Sequence, residues 1–261
     1  MIAPANGITM PAIGGGKKHC WHNRPVSDEP VLLITGASSG IGAQIARRAA
    51  KAGYRLVLGA RREQPLEQLA AELAGPERAL AVRCDVTEWE DVQALTAAAA
   101  DAFGRLDAVA ANAGFGATRG FLEESPEHWR SMVLTNVLGV ALTIRATLPV
   151  LLESGSGHYL ITGSVAGRRA LPGSLYSSTK WAVSGMAESL RQELRQMREN
   201  DSIRVTLLAP GMVDTDFFED RPGTDRALAD DDIARAALWA LEQPPGMDVN
   251  EILIRPSSQG T

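Results

Sequence analysis

A glycine-rich turn between an apolar strand and an apolar helix constrains the fold of this chain more than any other feature. The apolar run 31–34 leads into residues 35–42, whose sequence TGASSGIG has the spacing GxxxGxG. Glycine lets a backbone turn sharply and approach a diphosphate, and the N-terminus of the following helix offers N–H groups to that anion. An ordinary turn with flexible glycines is the alternative, but the flanking strand and helix favour dinucleotide binding. The residues predicted to contact the dinucleotide here are Gly36, Ser38, Ser39, Gly40, Ile41 and Gly42.

Short apolar runs alternate with helical patterns along the rest of the chain. Strands are predicted at residues 31–34, 55–60, 80–84, 106–111, 159–162, 205–208 and 251–254. Helices are predicted from the glycine turn to about residue 51 and at residues 65–73, 89–103, 126–152, 176–198 and 231–241. Continuous apolar strands that alternate with helices are typical of a parallel sheet covered on both faces. The pattern therefore predicts an α/β fold, a Rossmann-like doubly wound sheet that binds ligands at the carboxyl ends of its strands.

Length and composition fit a single domain. A chain of 261 residues with 45% hydrophobic residues can bury a sizeable core without a metal or a disulfide. Residues 30–261 are predicted to form one catalytic domain, and residues 1–29, rich in glycine, proline and polar groups, a flexible N-terminal extension. His19, Cys20 and His22 in that extension lack a second ligand cluster, so we expect no metal site.

Charge and cysteine content bear on partners and compartment. The formal net charge of −5 offers nothing that attracts nucleic acid or an anionic membrane. The apolar stretch 132–152 is long enough to tempt a membrane assignment, but it carries Asn136 and Arg145, which favours a buried helix of a soluble protein. Cys20 and Cys84 lie far apart, so a disulfide is not expected and a reducing, cytoplasmic setting is predicted.

The end of the second predicted strand bears on cofactor choice. It reads Gly59-Ala60-Arg61-Arg62, with arginines where many dinucleotide folds place a carboxylate. A carboxylate there binds a free ribose 2′-hydroxyl, whereas arginine accommodates a 2′-phosphate, with which it can form a bidentate, permanently charged contact. Two solvated surface arginines are the alternative. The pattern predicts that Arg61, with Arg62 beside it, selects NADP(H).

Three further residues suggest proton chemistry. Tyr176 and Lys180 are four residues apart on a predicted helix and so share a face. An adjacent ammonium lowers the pKa of a tyrosine, which makes the phenol a usable proton donor and acceptor. Ser164 follows the fifth predicted strand, where its hydroxyl can polarise a substrate oxygen. Taken singly, a surface Tyr–Lys pair and a serine bonding its own turn are the simpler interpretations.

Two asparagines stand out in apolar surroundings. Asn112 begins the sequence Asn-Ala-Gly after the fourth predicted strand, where Gly114 permits a ligand to approach the backbone. Asn136 lies inside an apolar helix, and a buried amide needs hydrogen-bond partners. Asn136 therefore either braces the fold or organises a water near the site.

Together these residues resemble the short-chain dehydrogenase/reductase family over roughly residues 31–255. The resemblance rests on TGASSGIG, Asp85-Val86 after the third strand, Asn112-Ala113-Gly114, Asn136, Ser164, YxxxK at 176–180, and Pro210-Gly211 with Thr215. It implies that Tyr176 is the general acid/base, that Lys180 lowers its pKa and binds the nicotinamide ribose, and that Ser164 holds the substrate oxygen. Asn136 would help to hold a water that relays protons past Lys180.

The resemblance also implies cofactor contacts outside the glycine turn. Asp85 and Val86 would contact adenine, Asn112 would lie on the adenosine ribose side, and Ala113 and Gly114 would also contact the cofactor. Residues from Pro210 to Thr215, including Gly211 and Val213, would contact the nicotinamide carboxamide. The acidic segment 212–229, with Phe217 and Phe218, would fold over the substrate.

The sequence thus predicts an NADP(H)-dependent oxidoreductase that passes a hydride between nicotinamide and a small carbonyl or alcohol, in either direction. A redox-sensing regulatory protein that binds NADP without turnover is the alternative. A scaffold that only assembles through its helices would leave the glycine turn unexplained. The helices at 126–152 and 176–198 carry more apolar surface than one sheet face needs, and the resemblance implies assembly through them. We therefore expect a homotetramer or homodimer.

Overall fold

Alternate residues of the first strand pack on opposite sides of one central sheet, so the chain has one apolar core on each face of that sheet. The computed structural model describes residues 29–118, 120–197, 202–217 and 225–259. The predicted extension 1–29, apart from Glu29, lies outside these residues, as do Phe218 and the predicted helix end at residue 198. Within the described ranges, no group of three His, Cys, Asp or Glu residues is arranged to hold a metal ion.

The strands form a seven-stranded parallel sheet and a small separate pair. In chain order they are β1 (Val31–Thr35), β2 (Arg55–Ala60), β3 (Ala79–Arg83), β4 (Ala108–Ala111), β5 (Gly157–Thr162), β6 (Ile203–Pro210), β7 (Val213–Asp214), β8 (Leu228–Ala229) and β9 (Glu251–Ile254). The large sheet has the order β3-β2-β1-β4-β5-β6-β9, and β7 pairs with β8. The order reverses between β1 and β4, which opens a crevice at their carboxyl ends. The predicted doubly wound α/β fold is confirmed.

Helices cover both faces of the sheet. They are α1 (Gly40–Lys51), α2 (Glu63–Glu72), α3 (Trp89–Phe103), α4 (Pro126–Val133), α5 (Gly139–Ser154), α6 (Leu175–Gln196) and α7 (Asp230–Leu241). Leu32 and Ile34 of β1 pack in one core with α1, α2 and α7. Val31 and Leu33 pack in a second core with α3, α5 and α6. Both faces of the sheet are therefore apolar, which explains why the strands are continuous apolar runs.

The single helix predicted at residues 126–152 is interrupted in the structure. A π-helical turn, Leu134–Leu138, separates α4 from α5. Pro126–Ser154 is long and apolar enough to cross a membrane, but core helices of soluble proteins can have the same length and composition. On its inner side Val140, Ile144 and Leu151 are buried in the second core.

Two of the boundaries that differ from the prediction, each by two residues, have identifiable reasons. Strand β4 begins at Ala108 rather than at residue 106, because the Asp107 carboxylate accepts from the Val31 N–H at 2.7 Å and from the Arg105 guanidinium. Helix α2 begins at Glu63 rather than at residue 65. Pro65 then lies in the first turn, where its missing N–H leaves no helical hydrogen bond unformed. The other strand and helix ends differ from prediction by two residues or fewer, apart from the helix end outside the described range.

Candidate active site

A cavity of about 580 Å³ lies over the carboxyl ends of the central strands. Every residue predicted to form the site lines it, with two exceptions, Gly42 and Asn136. Lining residues that the sequence did not single out include Phe115, Thr162, Leu171 and Gln259. The topology alone explains the convergence, because parallel strands bring their carboxyl ends to one edge.

The glycine turn between β1 and α1 approaches its neighbours too closely for side chains. Gly36 has a φ of +67°, and a Cβ there would lie 2.8 Å from the Cα of Ala113. A Cβ on Gly42 would lie 2.4 Å from the carbonyl oxygen of Gly36. Gly42 therefore packs the helix onto the turn rather than lining the cavity. The result is a backbone cradle that fits a diphosphate.

The N-terminus of α1 is left open towards this cradle. The N-cap residue Ser39 makes no side-chain cap bond, and the first turn of α1 contains no acidic residue. The first N–H groups of a helix lack intrahelical partners and carry partial positive charge. An anion above Gly40 would therefore find hydrogen-bond donors.

Arg62, rather than Arg61, folds back onto the glycine turn. Its guanidinium donates to the hydroxyl oxygen of Ser38 at 3.1 Å and to that of Ser39 at 2.6 Å. Arg61 lines the same end of the cavity and makes no hydrogen bond or ion pair with the part of the chain that the structure describes. Both side chains are exposed. Together they give one end of the cavity two positive charges.

Asp85 and Asn112 line the cavity while using their side chains within the fold. The Asp85 carboxylate accepts from the backbone N–H of Thr87 at 3.0 Å and from the Thr87 hydroxyl at 2.9 Å. The Asn112 amide donates to the carbonyl oxygen of Thr35 at 3.3 Å and accepts from the Thr162 hydroxyl at 3.1 Å. Asn112 therefore ties the end of β4 to its neighbours β1 and β5.

Asn136 acts as a brace, which is one of the two predicted alternatives. The residue is 1% exposed and lies in the π-helical turn. Its side-chain oxygen accepts from the Phe115 N–H at 3.0 Å, and its amide donates to the Phe115 carbonyl at 2.9 Å and to the Thr179 hydroxyl at 3.2 Å. It thereby joins the loop after β4 to the residue that precedes Lys180.

Tyr176, Lys180 and Ser164 meet at the other end of the cavity. Ser174 caps α6 by accepting from the Ser177 N–H at 3.3 Å, which starts the helix just before Tyr176. One turn later, the Lys180 ammonium lies 5.7 Å from the centroid of the Tyr176 ring and donates to the Thr162 carbonyl at 2.9 Å. Ser164 follows β5, and its hydroxyl oxygen accepts from the Ala166 N–H at 3.1 Å.

The proton affinities of these groups differ from the sequence expectation. Burial raises the pKa of Tyr176 to about 12, against the opposing effect of a hydrogen bond with Ser164. Burial lowers the pKa of Lys180 to about 8. The expected lowering of the tyrosine pKa by Lys180 is therefore not found, because desolvation of the phenol is the largest effect and the opposing one comes from Ser164. The phenol is protonated at neutral pH and can act as a proton donor.

Phe217 forms an apolar wall beside the phenol. Its ring meets the Tyr176 ring edge to face, with centroids 5.4 Å apart. It also lies against Gly116, where a Cβ would come 2.5 Å from a Phe217 ring carbon. Leu171 and Met212 also line the cavity. The space next to Tyr176 is therefore apolar on the side of Phe217.

Comparison with known proteins agrees with this geometry. The family profile described as short chain dehydrogenase matches residues 30–225. An uncharacterised oxidoreductase of Staphylococcus saprophyticus is 39% identical over 243 residues, which cover 88% of this chain and 97% of that protein. The alcohol dehydrogenase of the archaeon Thermococcus sibiricus, solved with 5-hydroxy-NADP, superposes with a TM-score of 0.80 and 35% identity over 90% of this chain and 99% of that one. A short chain dehydrogenase/reductase of Burkholderia phymatum, solved with NAD, has a TM-score of 0.77 and 30% identity over 87% and 89% of the two chains. This chain belongs to the short-chain dehydrogenase/reductase family of oxidoreductases.

Proposed function

We propose that the protein is an NADP(H)-dependent oxidoreductase that interconverts a carbonyl compound and the corresponding alcohol, with Tyr176 as general acid/base. The supporting observation is that one cavity is lined by Tyr176, Ser164 and Lys180 at one end and by the cradle at Gly36 and Gly40 at the other. If the diphosphate of a dinucleotide binds at the cradle, the nicotinamide end of the molecule can extend to Tyr176. The neighbour from Thermococcus sibiricus was solved with a nicotinamide cofactor analogue, which supports the same reading.

In the direction of reduction, a dihydronicotinamide dinucleotide held in this cavity would supply the hydride that the carbonyl carbon accepts. The Ser164 hydroxyl donates a hydrogen bond to the carbonyl oxygen and so stabilises the negative charge that develops there. Tyr176 gives its phenolic proton to that oxygen, and a proton from solvent later restores the phenol. The positive charge of Lys180, 5.7 Å from the ring centroid, favours the phenolate in between. Oxidation runs through the same groups in reverse.

The proposed preference for NADP(H) rests on Arg62 and Arg61. Arg62 is held at the rim of the cradle by its hydrogen bonds to Ser38 and Ser39. A phosphate on the adenosine ribose would meet a guanidinium whose position is already fixed, which reduces the entropy lost on binding. No carboxylate stands at the end of β2 to accept from a free 2′-hydroxyl.

We also infer that the protein assembles as a homotetramer or homodimer through the helices on the side of α5 and α6. Val133, the last residue of α4, and Leu138, the last residue of the π-helical turn, are each 40% exposed, and Trp181 of α6 is 49% exposed. These three exposed apolar side chains, together with the general tendency of soluble proteins to form closed symmetric assemblies, support the proposal. The buried, free thiol of Cys84 fits the proposed cytoplasmic setting.

The direct test is a panel of ketones, aldehydes and secondary alcohols, with the absorbance of the reduced nicotinamide as the readout. The proposal requires turnover with at least one carbonyl or alcohol, and faster turnover with the phosphorylated cofactor. Tight binding of NADPH without turnover of any member of a broad panel would support the redox-sensing alternative instead. Absence of binding to either nicotinamide cofactor would refute both.

A further inference from the structure

Gln259 connects the C-terminal segment to the backbone beside the cavity. Its side-chain oxygen accepts from the Met212 N–H at 2.9 Å. The same oxygen packs so closely on Gly211 that a Cβ there would overlap it. The Gly211 N–H in turn donates to the Ile254 carbonyl at 2.6 Å. The turn after β6 is thus held at two successive N–H groups by residues that lie more than 40 positions later in the chain.

This turn lies at the tyrosine end of the cavity. The Ser164 hydroxyl is 3.5 Å from the carbonyl oxygen of Pro210, the last residue of β6. In the proposed reaction, a hydride reaches the carbonyl carbon while Tyr176 protonates the oxygen bonded to it. The nicotinamide ring must therefore lie beside Ser164 and Tyr176, against the turn at Pro210 and Gly211. The arginine end of the cavity is left for the adenosine half.

We propose that Gln259 is a positioning residue for the nicotinamide half of the cofactor. It acts through Met212 and Gly211, because its carboxamide fixes the course of the backbone that the nicotinamide contacts. The inference rests on the proposed function, since it requires a nicotinamide dinucleotide in this cavity. A residue of this kind should have no effect on the adenosine half, which would lie at the other end of the cavity, lined by Arg61 and Arg62.

Two substitutions separate the hydrogen bond from the bulk of the side chain. Gln259→Met keeps the length and removes the acceptor for the Met212 N–H, whereas Gln259→Glu keeps an acceptor at the same reach. Ser258→Ala, at the exposed neighbouring position, is the matched control. Calorimetric titration would measure the affinity of each full-length protein for NADPH and for adenosine 2′,5′-bisphosphate, which carries the 2′-phosphate but no nicotinamide.

We expect Gln259→Met to weaken NADPH binding about three- to tenfold, the effect of losing one ordinary hydrogen bond, and to leave the bisphosphate affinity unchanged. Gln259→Glu and Ser258→Ala should bind both ligands within about twofold of the unsubstituted protein, since both keep the acceptor. Unchanged NADPH affinity in Gln259→Met would overturn the inference. An equal loss of affinity for NADPH and for the bisphosphate in Gln259→Met would also overturn it. So would a Gln259→Glu variant that binds NADPH as weakly as Gln259→Met. An unsubstituted protein that binds neither NADPH nor the bisphosphate would overturn the proposed function and the inference with it.

Discussion

The guanidinium of Arg62 donates to the hydroxyl oxygen of Ser39 across 2.6 Å, which places a positive charge on the residue that caps α1. The hydrogen bonds to Ser38 and Ser39 hold the Arg62 guanidinium between the carboxyl ends of β1 and β2. Arg61, the residue that the sequence pattern favoured for cofactor choice, has no comparable anchor among the described residues. We therefore expect Arg62 to contribute more to cofactor selection than Arg61.

Arg62→Asp should reverse the cofactor preference. Losing a charge-assisted contact to phosphate costs about ten- to a hundredfold in affinity, and the new carboxylate both repels phosphate and accepts from a free 2′-hydroxyl. Arg61→Asp should give a smaller change. The ratio of kcat/KM with NADPH to that with NADH measures both effects, and it should narrow at high salt because exposed charges are screened. Equal use of the two cofactors by the unsubstituted protein would contradict the prediction.

Tyr176→Phe should lower kcat by about two to four orders of magnitude, the range for loss of a positioned general acid. The ring remains to pack against Phe217, so NADPH affinity should change little. Tyr54→Phe, at the amino-terminal edge of the sheet, removes a phenol far from the cavity and should leave kcat unchanged. Near-native turnover of Tyr176→Phe would rule out the mechanism.

Phe217→Ala should raise the KM for small apolar carbonyl substrates about three- to tenfold, because an aromatic contact contributes about 0.5–1.5 kcal/mol beyond its buried area. The affinity for NADPH should stay the same, since Phe217 lies beside the phenol. Phe217→Leu keeps an apolar wall and should have a smaller effect. Equal KM values for all three proteins would show that the substrate does not contact this ring.

His158 should make the protein less stable as the pH falls. Its Nε2–H donates to the Thr206 hydroxyl oxygen at 2.8 Å, because that hydroxyl gives its own proton to the Val249 carbonyl. The buried Nδ1 has no hydrogen-bond partner among the described residues, and burial lowers the pKa of His158 to about 3. Below a pH of about 6.5 the unfolded chain binds a proton that the folded chain does not, so stability falls by up to about 1.4 kcal/mol per pH unit down to a pH near 3.

Urea denaturation at pH 7 and pH 5 tests this effect. His158→Gln removes the titrating group, so the difference in unfolding free energy between the two pH values should shrink by about 1–2 kcal/mol. The comparison uses the difference within each protein, so a uniform loss of stability in the variant does not affect it. His128→Gln, which removes a more exposed imidazole, is the control. An unchanged difference in His158→Gln would show that His158 is not the titrating group.

Trp181→Glu should weaken assembly. Trp181 is 49% exposed on α6, and a carboxylate there could not be buried against a second copy without a partner. Light scattering at micromolar concentration should show a smaller species than for the unsubstituted protein. Trp239→Glu, at a residue 48% exposed on α7 on the other face of the sheet, should leave the mass unchanged. A monomeric unsubstituted protein would refute the proposed assembly.

The sheet and the glycine cradle could be predicted because their patterns are local. Strands buried on both faces are continuous apolar runs, and the backbone contact between Gly36 and Ala113 tolerates no side chain at Gly36. The start of β4 was misplaced because Asp107 pairs with Val31, 76 positions earlier, and only the fold reveals that pairing. Cavity residues that directly follow a strand, or that belong to a family motif, could also be predicted from local sequence patterns.

Other parts of the site depend on contacts that no local pattern encodes. Gln259 approaches Met212 from a segment with no motif, and only the parallel pairing of β9 with β6 brings it there. Which of Arg61 and Arg62 is expected to select the cofactor depends on which side chain points towards Ser39. The two arginines are adjacent at the end of a strand, so the sequence does not show this. The raised pKa of Tyr176 reflects burial of the phenol, which the sequence spacing between Tyr176 and Lys180 does not reveal.

The π-helical turn Leu134–Leu138 sets the rotational phase between two halves of one long helix. A π-turn inserts one residue into an α-helical ladder, and each residue of an α-helix advances the direction of the side chains by about 100°. With the extra residue, Asn136 faces Phe115 while Val140 and Ile144 still face the sheet. Deleting Val137 would make the helix regular but bring only one of these two faces into register. The shortened helix could then keep either the contact of Asn136 with Phe115 or the packing of Val140 and Ile144 in the core, but not both.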